Sequence, residues 1–372
     1  MMRKWGAIAL LLVSTACGGS IKDSVGVQVR PGGGDDCAGI LPGPLPESRS
    51  IVTPHQEEEV CGYVTVDQAG NIAGEASRVG WPEVRWRVVN RDGFDLGSFT
   101  AQPDLMPQPS GFQGIWWDCP SPCLGNFVAS HSQWDPDGSR RNDVAVAGEL
   151  STPYMERVQW GGSQVLTIFS DFFGRLRLTL RRFDADGNLV RANVIGYPAP
   201  FAVGGVDLNG FTLIVFLDGS PFGFSSDDYV GRWYDDSLNA ISDYFVITAA
   251  IGMPRIRPSL RPLIGGGILV QLQGNWVAMS PSGAARAMPA PDWLVPYSNY
   301  DIEIVRGGRA HALIPKWPVS DRSTIPLYSA SGNHCGEVTL PLPNVTVGMD
   351  GTVISLTGED ACTVTWWPQV LP

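Results

Sequence analysis

Two pairs of neighbouring side chains could act directly on a ligand: Trp116-Trp117 and Asp227-Asp228. An indole ring can cover the apolar face of a sugar, and the tryptophans adjoin the short Cys119-Pro-Ser-Pro-Cys123 loop. Carboxylates on a loop can serve as acid or ligand in glycoside cleavage. The competing interpretations are packing of the tryptophans between sheets and plain solvation of the aspartates. These four residues form the candidate ligand-binding site.

No contiguous motif supports an enzyme, since the GxSxG, HExxH, P-loop and GxGxxG patterns are all missing from the sequence. His131, His311 and His334 stand isolated from one another. Asp135-Pro-Asp137-Gly138 and Asp184-Ala-Asp186-Gly187 alternate carboxylates as calcium loops do, but neither has the further ligands such a loop needs. Asp and Gly also favour hairpin turns, which is our interpretation. We predict no catalytic residue, metal or cofactor, and leave an enzyme as an open alternative.

The Asp184–Gly187 turn belongs to a repeat that organises the chain. Similar turns recur every 45 to 51 residues. Their final positions are Gly93, Gly138, Gly187, Leu238, Gly283 and Gly332. Four residues before each final position stands a bulky apolar side chain: Val89, Trp134, Phe183, Tyr234, Met279 and Tyr328. Alternating apolar segments around such turns predict β-hairpins, and a period of this length indicates a β-propeller.

We therefore predict an all-β fold, a β-propeller over residues 61–372. Six turns favour six blades, with strands from the two ends of the chain sharing one blade to close the ring. A further blade opened by residues 61–66 would make seven. Residues 101–125, rich in proline, are expected to form an irregular insertion. The alternative fold is a tandem pair of β-sandwiches.

The charge of the chain excludes some partners. The sequence carries 26 Lys and Arg against 37 Asp and Glu, a net charge of −11. Removal of residues 1–16 would leave 24 against 37, or −13. Nucleic-acid binding needs clustered cations, so we exclude it. Electrostatic docking on anionic lipid is excluded for the same reason.

The N-terminus has the features of an export signal. Arg3 and Lys4 precede an apolar run that is too short to span a bilayer, and small residues follow it. Val13-Ser14-Thr15-Ala16-Cys17 resembles the lipobox of bacterial lipoproteins, with Ser14 where that family usually has Leu. The resemblance implies cleavage after residue 16 and lipidation of Cys17. Because Gly18 is not the Asp that retains such proteins at the inner membrane, it also implies an outer-membrane location on an undetermined side. The alternative is an ordinary secretory signal.

Residues 17–60 are predicted to form a flexible tether, because they are rich in Gly and Pro and show no strand or helix period. Six cysteines remain after Cys17, and an even number in an exported chain favours disulfides over a zinc site. They are Cys37, Cys61, Cys119, Cys123, Cys335 and Cys362. Proximity in sequence suggests the pairs 37–61, 119–123 and 335–362.

Together these features predict a non-enzymatic outer-membrane lipoprotein that binds or scaffolds. Its partners would be the membrane, through a lipid on Cys17, and an envelope protein or glycan. The alternative is a cell-surface glycan hydrolase or lyase that uses Trp116, Trp117, Asp227 and Asp228.

Overall fold

The fold was determined from a computed structural model. It describes residues 37–40, 45–54, 62–80, 83–118, 128–147, 151–157, 161–170, 176–196, 201–217, 229–247, 258–272, 275–281, 287–289, 291, 294, 301–307, 309–316, 323–357 and 361–371. Within these ranges no helix is both long and apolar enough to cross a membrane. The regular elements are 28 β-strands in seven four-stranded antiparallel sheets.

Six of the sheets are built from four consecutive strands each. Blade 1 consists of β2 (Val64–Val66), β3 (Ile72–Gly80), β4 (Glu83–Val89) and β5 (Asp95–Ala101). Blade 2 consists of β6 (Met106–Pro107), β7 (Phe112–Asp118), β8 (Val128–Trp134) and β9 (Arg140–Ala147). Blade 3 consists of β10 (Ser151–Arg157), β11 (Ser163–Ser170), β12 (Leu176–Phe183) and β13 (Leu189–Gly196).

The second half of the ring repeats the pattern. Blade 4 consists of β14 (Phe201–Val206), β15 (Thr212–Leu217), β16 (Tyr229–Tyr234) and β17 (Phe245–Val246). Blade 5 consists of β18 (Ser259–Pro262), β19 (Ile268–Leu272), β20 (Asn275–Met279) and β21 (Ala287–Pro289). Blade 6 consists of β22 (Asp301–Gly307), β23 (Ala310–Lys316), β24 (Ser323–Tyr328) and β25 (His334–Leu340).

Blade 7 closes the ring with strands from both ends of the chain. It consists of β26 (Val345–Val347), β27 (Val353–Thr357), β28 (Ala361–Trp367) and β1 (Arg49–Pro54). β1 lies antiparallel to β28, with Arg49 opposite Trp366 and Pro54 opposite Ala361. The protein is thus a seven-bladed β-propeller, which confirms the propeller fold and the seven-blade alternative opened by residues 61–66; the favoured count of six and the tandem sandwiches are not correct. Six was too few because residues 64–101 form a complete blade of their own, while the C-terminal tail needs only one N-terminal strand.

The sequence repeat corresponds to one position in the fold. Each predicted bulky residue is the last residue of the third strand of its blade, and all six are buried. The turns that follow these residues join the third and fourth strands. Similar turns join the first and second strands, for example Asp67–Gly70 and Asp207–Gly210. Because neighbouring strands are antiparallel, both sets lie at one end of the ring, which we call the turn end; the opposite end is the loop end.

Two parts of the chain that we predicted to be irregular are ordered strands. Arg49–Pro54, within the predicted tether, is β1. Much of the predicted 101–125 insertion belongs to β6 and β7: Pro107 lies in the short inner strand β6, and Pro103 and Pro109 lie on either side of it. Residues 119–125 of that region lie outside the described residues.

The cysteine pairing differs from the one suggested by sequence proximity. Cys37 is bonded to Cys335, with a sequence separation of 298 residues, so the pairs 37–61 and 335–362 are wrong. Cys362 is also disulfide-bonded. The ring places Cys37 next to blade 6, which sequence distance cannot reveal. Cys61, Cys119 and Cys123 lie outside the described residues.

Candidate functional site

The two candidate tryptophans lie in β7 and point to opposite faces of blade 2, as consecutive strand residues must. Trp116 packs against the apolar cluster shared by blades 1 and 2, and the Arg140 guanidinium lies 5.0 Å from its ring centroid. Trp117 packs against the cluster shared by blades 2 and 3. Both side chains are partly buried. They therefore do not form one flat platform for a sugar.

The second candidate pair, Asp227-Asp228, lies outside the described residues, as do the other members of the 218–228 connection. The strands around both pairs nevertheless share an end of the ring. β7 finishes at Asp118 and β16 begins at Tyr229, and both of these strand ends belong to the loop end. The structure thus separates the two tryptophan rings, while the end of β7 and the start of β16 lie at the same end of the propeller.

The Asp-Gly segments are hairpin turns, as predicted. In the turn after β12, Asp184 Oδ1 accepts hydrogen bonds from the backbone N–H groups of Asp186 and Asn188. The Gly187 N–H donates to the Asp184 carbonyl at 3.1 Å. Asp235 makes the same contact with the Asn239 N–H after β16. These carboxylate oxygens fix the backbone of their own turns, which explains the residue types without a cation.

The polar groups that sequence reasoning missed lie between blades 2 and 3. Gln113 and Gln133 oppose each other on β7 and β8, and both are fully buried. Gln113 Nε2 donates to the Asp184 carbonyl of blade 3 at 2.6 Å, and Gln133 Nε2 donates to the Ser110 carbonyl at 3.1 Å. Gln108 Oε1 accepts the N–H of Gly162, the residue before β11. The interface between these blades is therefore built on buried amides.

His131 adds an ionisable group to the same interface. Its ring stacks on Phe183 at a centroid distance of 3.7 Å, and its Nε2 lies 2.8 Å from Ser163 Oγ in blade 3. Burial disfavours the charged imidazolium and lowers the pKa of His131 to about 3. The ring is therefore neutral at physiological pH, and its contacts are those of a packing residue.

Blades 3 and 4 are joined through a buried cation. Arg182 Nη2 donates to Gln164 Oε1 at 2.9 Å, to the Gly210 carbonyl at 2.9 Å and to Thr212 Oγ1 at 3.1 Å. Burial lowers the pKa of Arg182, while Asp236, Asp207 and Asp235 oppose that shift. The guanidinium thus holds blade 3 to the first turn of blade 4.

Two buried carboxylates at the turn end also reach the next blade. Asp67 Oδ2 accepts the Gly111 N–H at 2.7 Å, from blade 1 to blade 2. Asp207 Oδ2 accepts the Gly267 N–H at 3.0 Å, from blade 4 to blade 5. Burial raises the pKa of both aspartates, and backbone donors partly offset this. Across the described residues no group of three or more His, Cys, Asp or Glu side chains could hold a metal ion.

A signal for this polar seam was available in the repeat. The residue immediately before the bulky residue pairs with a residue of the second strand. This pair is Val88 with Ala73 in blade 1, but Gln133 with Gln113 in blade 2. It is Gln164 and Arg182 in blade 3 and becomes apolar again in blade 4, with Leu213 and Trp233. An alignment of the repeats strand by strand would have revealed these polar pairs, but such an alignment needs the correct blade boundaries.

The architecture defines the chain as a seven-bladed β-propeller closed by its N-terminal strand. No protein-family model matches the sequence, and no curated protein matches it. Solved propeller structures resemble it in fold. The polysaccharide lyase Uly1 has a TM-score of 0.48 at 10% identity, covering 87% of this chain and 99% of that one. The β-propeller domain of the Trilobed protease from Pyrococcus furiosus has a TM-score of 0.48 at 10% identity, covering 83% and 96%.

Proposed function

We propose that this protein is a lipid-anchored, non-enzymatic binding or scaffolding module of the bacterial outer membrane. The observation that carries this proposal is the use of the polar side chains in the described interfaces. His131, Arg182 and the buried glutamines are committed to contacts between blades, and Asp67 and Asp207 hold the turns of their neighbours. Such groups stabilise a rigid ring and leave binding to other surfaces.

The loop end is the proposed binding surface. Its connections include residues 119–127, 218–228 and 247–258, which are much longer than the four-residue turns of the opposite end. Variable connections carried by a rigid scaffold are the usual location of recognition residues. Replacement of residues 119–127 by a short Gly-Ser link should abolish binding of the envelope protein or glycan and leave the propeller folded. The matched control replaces Ser237 and Asn239 in a turn at the other end.

Lipid anchoring rests on the Val13–Cys17 lipobox and is tested separately. Labelled palmitate should enter the full-length protein expressed in a bacterial host, and a Cys17→Ala variant should carry none and leave the membrane fraction. Equal labelling of the two proteins would remove the anchoring proposal. Circular dichroism of the two proteins should show the same β-sheet signal.

The second candidate function is a cell-surface glycan hydrolase or lyase. It is favoured by the shared end of the ring: Trp116 and Trp117 approach the loop end on β7, and Asp227-Asp228 precede β16 at the same end. A glycan array followed by a reducing-end assay separates binding from cleavage. Cleavage that disappears in Asp227→Asn or Asp228→Asn would establish the enzyme. Glycan binding without new reducing ends would support a binding module, and co-purification with envelope proteins alone would support a scaffold.

A further inference from the structure

The outermost strand of blade 3 differs from the other six outer strands. β13 is eight residues long, and its exposed side chains include Leu189, Val190, Ala192 and Val194. Val190 is 49% exposed and Val194 58%. Its one charged residue is Arg191. An exposed apolar edge of this length can accept another strand, because it presents unpaired backbone N–H and C=O groups.

The remaining outer edges carry features that discourage such pairing. β17 and β21 have only two and three residues. The other four outer strands are longer, and each carries charged residues, histidine or proline. These residues are Arg49 and Pro54 in β1, Asp95 in β5, Arg140, Arg141 and Asp143 in β9, and His334 and Glu337 in β25. Short strands, charges and proline are the usual protection of a sheet edge. β13 also carries one charge, Arg191, but among the described side chains of the outer strands it exposes three large apolar groups, Leu189, Val190 and Val194, whereas β1 exposes Val52.

The face that Val190, Ala192 and Val194 share is separate from the packed face of the strand. Asn193 Nδ2 donates to the Leu238 carbonyl of blade 4 at 2.8 Å, and Ile195 lies in the cluster between blades 3 and 4. The even-numbered residues point the other way, since side chains alternate along a strand. The paired strand β12 places Arg181 opposite Ala192 and Thr179 opposite Val194. The outer edge is therefore anchored on one face and apolar and exposed on the other.

We propose that β13 pairs antiparallel with β13 of a second copy of this chain, about a two-fold axis through Ala192. In this register Val190 of each copy lies opposite Val194 of the other, and Arg191 lies opposite Asn193. No like charges are directly opposed, and the two Arg191 side chains are diagonal neighbours that can extend away from each other into solvent. The sequence is thus self-complementary over the exposed segment, as an isologous interface must be. The product is a continuous sheet of eight strands formed by two blades.

The size of this contact sets its strength. A single pair of strands buries less surface than the roughly 1,200–2,000 Å² of stable complexes. The dimer should therefore be reversible, and its population should rise with protein concentration. A second copy is the partner that the self-complementary register selects; an extended strand from a different protein would leave this chain monomeric by itself.

The first test measures mass by sedimentation equilibrium over a wide concentration range. The protein is the mature chain with Cys17→Ser, so that neither a lipid nor a free thiol contributes. We expect a monomer–dimer equilibrium whose dissociation constant rises at least about tenfold in Val194→Lys, since a lysine protects a sheet edge. The matched control is Val52→Lys on β1, where the replaced valine is also 58% exposed. It should leave the equilibrium unchanged.

The second test fixes the register. Directly opposed residues of an antiparallel pair have Cα atoms about 4.5–5.5 Å apart, which permits a disulfide. Ala192→Cys should therefore form a cross-linked dimer under mild oxidation. Arg191→Cys should cross-link poorly, because its two copies would be diagonal neighbours roughly 7–8 Å apart. A monomer at every concentration would overturn the proposal, and so would a dimer insensitive to Val194→Lys or equal cross-linking of the two cysteine variants.

Discussion

The propeller joins its blades in two chemically different ways. Between blades 2, 3 and 4, buried amides, His131 and the Arg182 guanidinium add hydrogen bonds to the apolar clusters that these blades share. Between blades 6 and 7 they run through one apolar cluster that includes Val305, Leu327 and Trp367, and the Cys37–Cys335 bond lies at its edge. Apolar packing tolerates small shifts, whereas a hydrogen-bonded seam holds one register. The difference teaches that hydrogen bonds fix the register of blades 2, 3 and 4, whereas apolar packing and the disulfide keep the ring closed at blades 6 and 7.

The disulfide should give the largest effect when it is removed. Cys37→Ala with Cys335→Ala frees a loop of 298 residues in the unfolded chain, which costs about 6 kcal/mol of unfolding free energy by the loop-entropy relation. The midpoint of urea unfolding should fall accordingly under oxidising conditions. Each single variant should lose as much as the double variant, because either one breaks the same bond. An unchanged midpoint in the double variant would show that the apolar cluster alone closes the ring.

Arg182 tests the polar side of the ring. Arg182→Ala removes the buried donor of the Gly210 carbonyl and one of the two donors to Gln164 Oε1, which keeps the Thr212 hydroxyl, and should cost about 3 kcal/mol. The exposed Arg177→Ala on the same strand is the control and should change stability by less than about 0.5 kcal/mol. The double replacement Gln164→Leu with Arg182→Leu, which imitates the apolar pair of blade 4, should recover much of the loss. We infer that the polar groups of this interface fix the register of the blades and that apolar groups could supply the same stability. A double variant that is less stable than Arg182→Ala would refute this inference.

Gly162 tests how closely the turn before β11 approaches the end of β12 within blade 3. Its φ is +93°, and an added Cβ would lie 2.2 Å from the Phe183 carbonyl oxygen. Gly162→Ala should therefore cost about 2–3 kcal/mol, from backbone strain plus a displaced strand. Gly39 has a φ of +74° with nothing within 4 Å of an added Cβ, so Gly39→Ala reports the strain alone. Equal losses in thermal unfolding for the two variants would contradict the close approach.

The sequence revealed those parts of the architecture that depend on local chemistry. The Asp184–Gly187 turn and the buried Phe183 before it follow from turn preference and apolar alternation, so they could be predicted. The choice between six and seven blades could not, because the closing strand β1 lies far in sequence from β28 and its residues look like a tether. The Cys37–Cys335 bond has the same cause: pairing follows proximity in the ring rather than along the chain.

The candidate site shows the same limit. Trp116 and Trp117 look like a platform in sequence, but strand geometry sends them to opposite faces of blade 2. His131 looks isolated in sequence, yet the packing of blade 3 on blade 2 brings Ser163 and Phe183 to it. Contacts between blades join residues from different repeats, so neither their presence nor their chemistry can be read from one repeat alone.

His131 offers a smaller and more specific test of the polar seam. Burial lowers its pKa to about 3 in the folded protein, against an ordinary value near 6.5 in the unfolded chain. Between these values the unfolded state binds the proton and the folded state does not. Unfolding free energy should therefore fall as pH drops from about 6.5 toward 3, by at most about 1.4 kcal/mol per pH unit from this group.

The raised pKa values of Asp67 and Asp207 act in the opposite direction, because the folded state takes up their protons first. The contribution of these aspartates is the same in the parent and in a histidine variant, so it cancels when their slopes of urea midpoint against pH are compared. His131→Gln should reduce the pH dependence of the urea midpoint over this window, whatever it does to stability at pH 7. If His131→Gln has the same slope as the parent, the imidazole is not held neutral between the blades, and the polar seam must be more open to water than the apolar one.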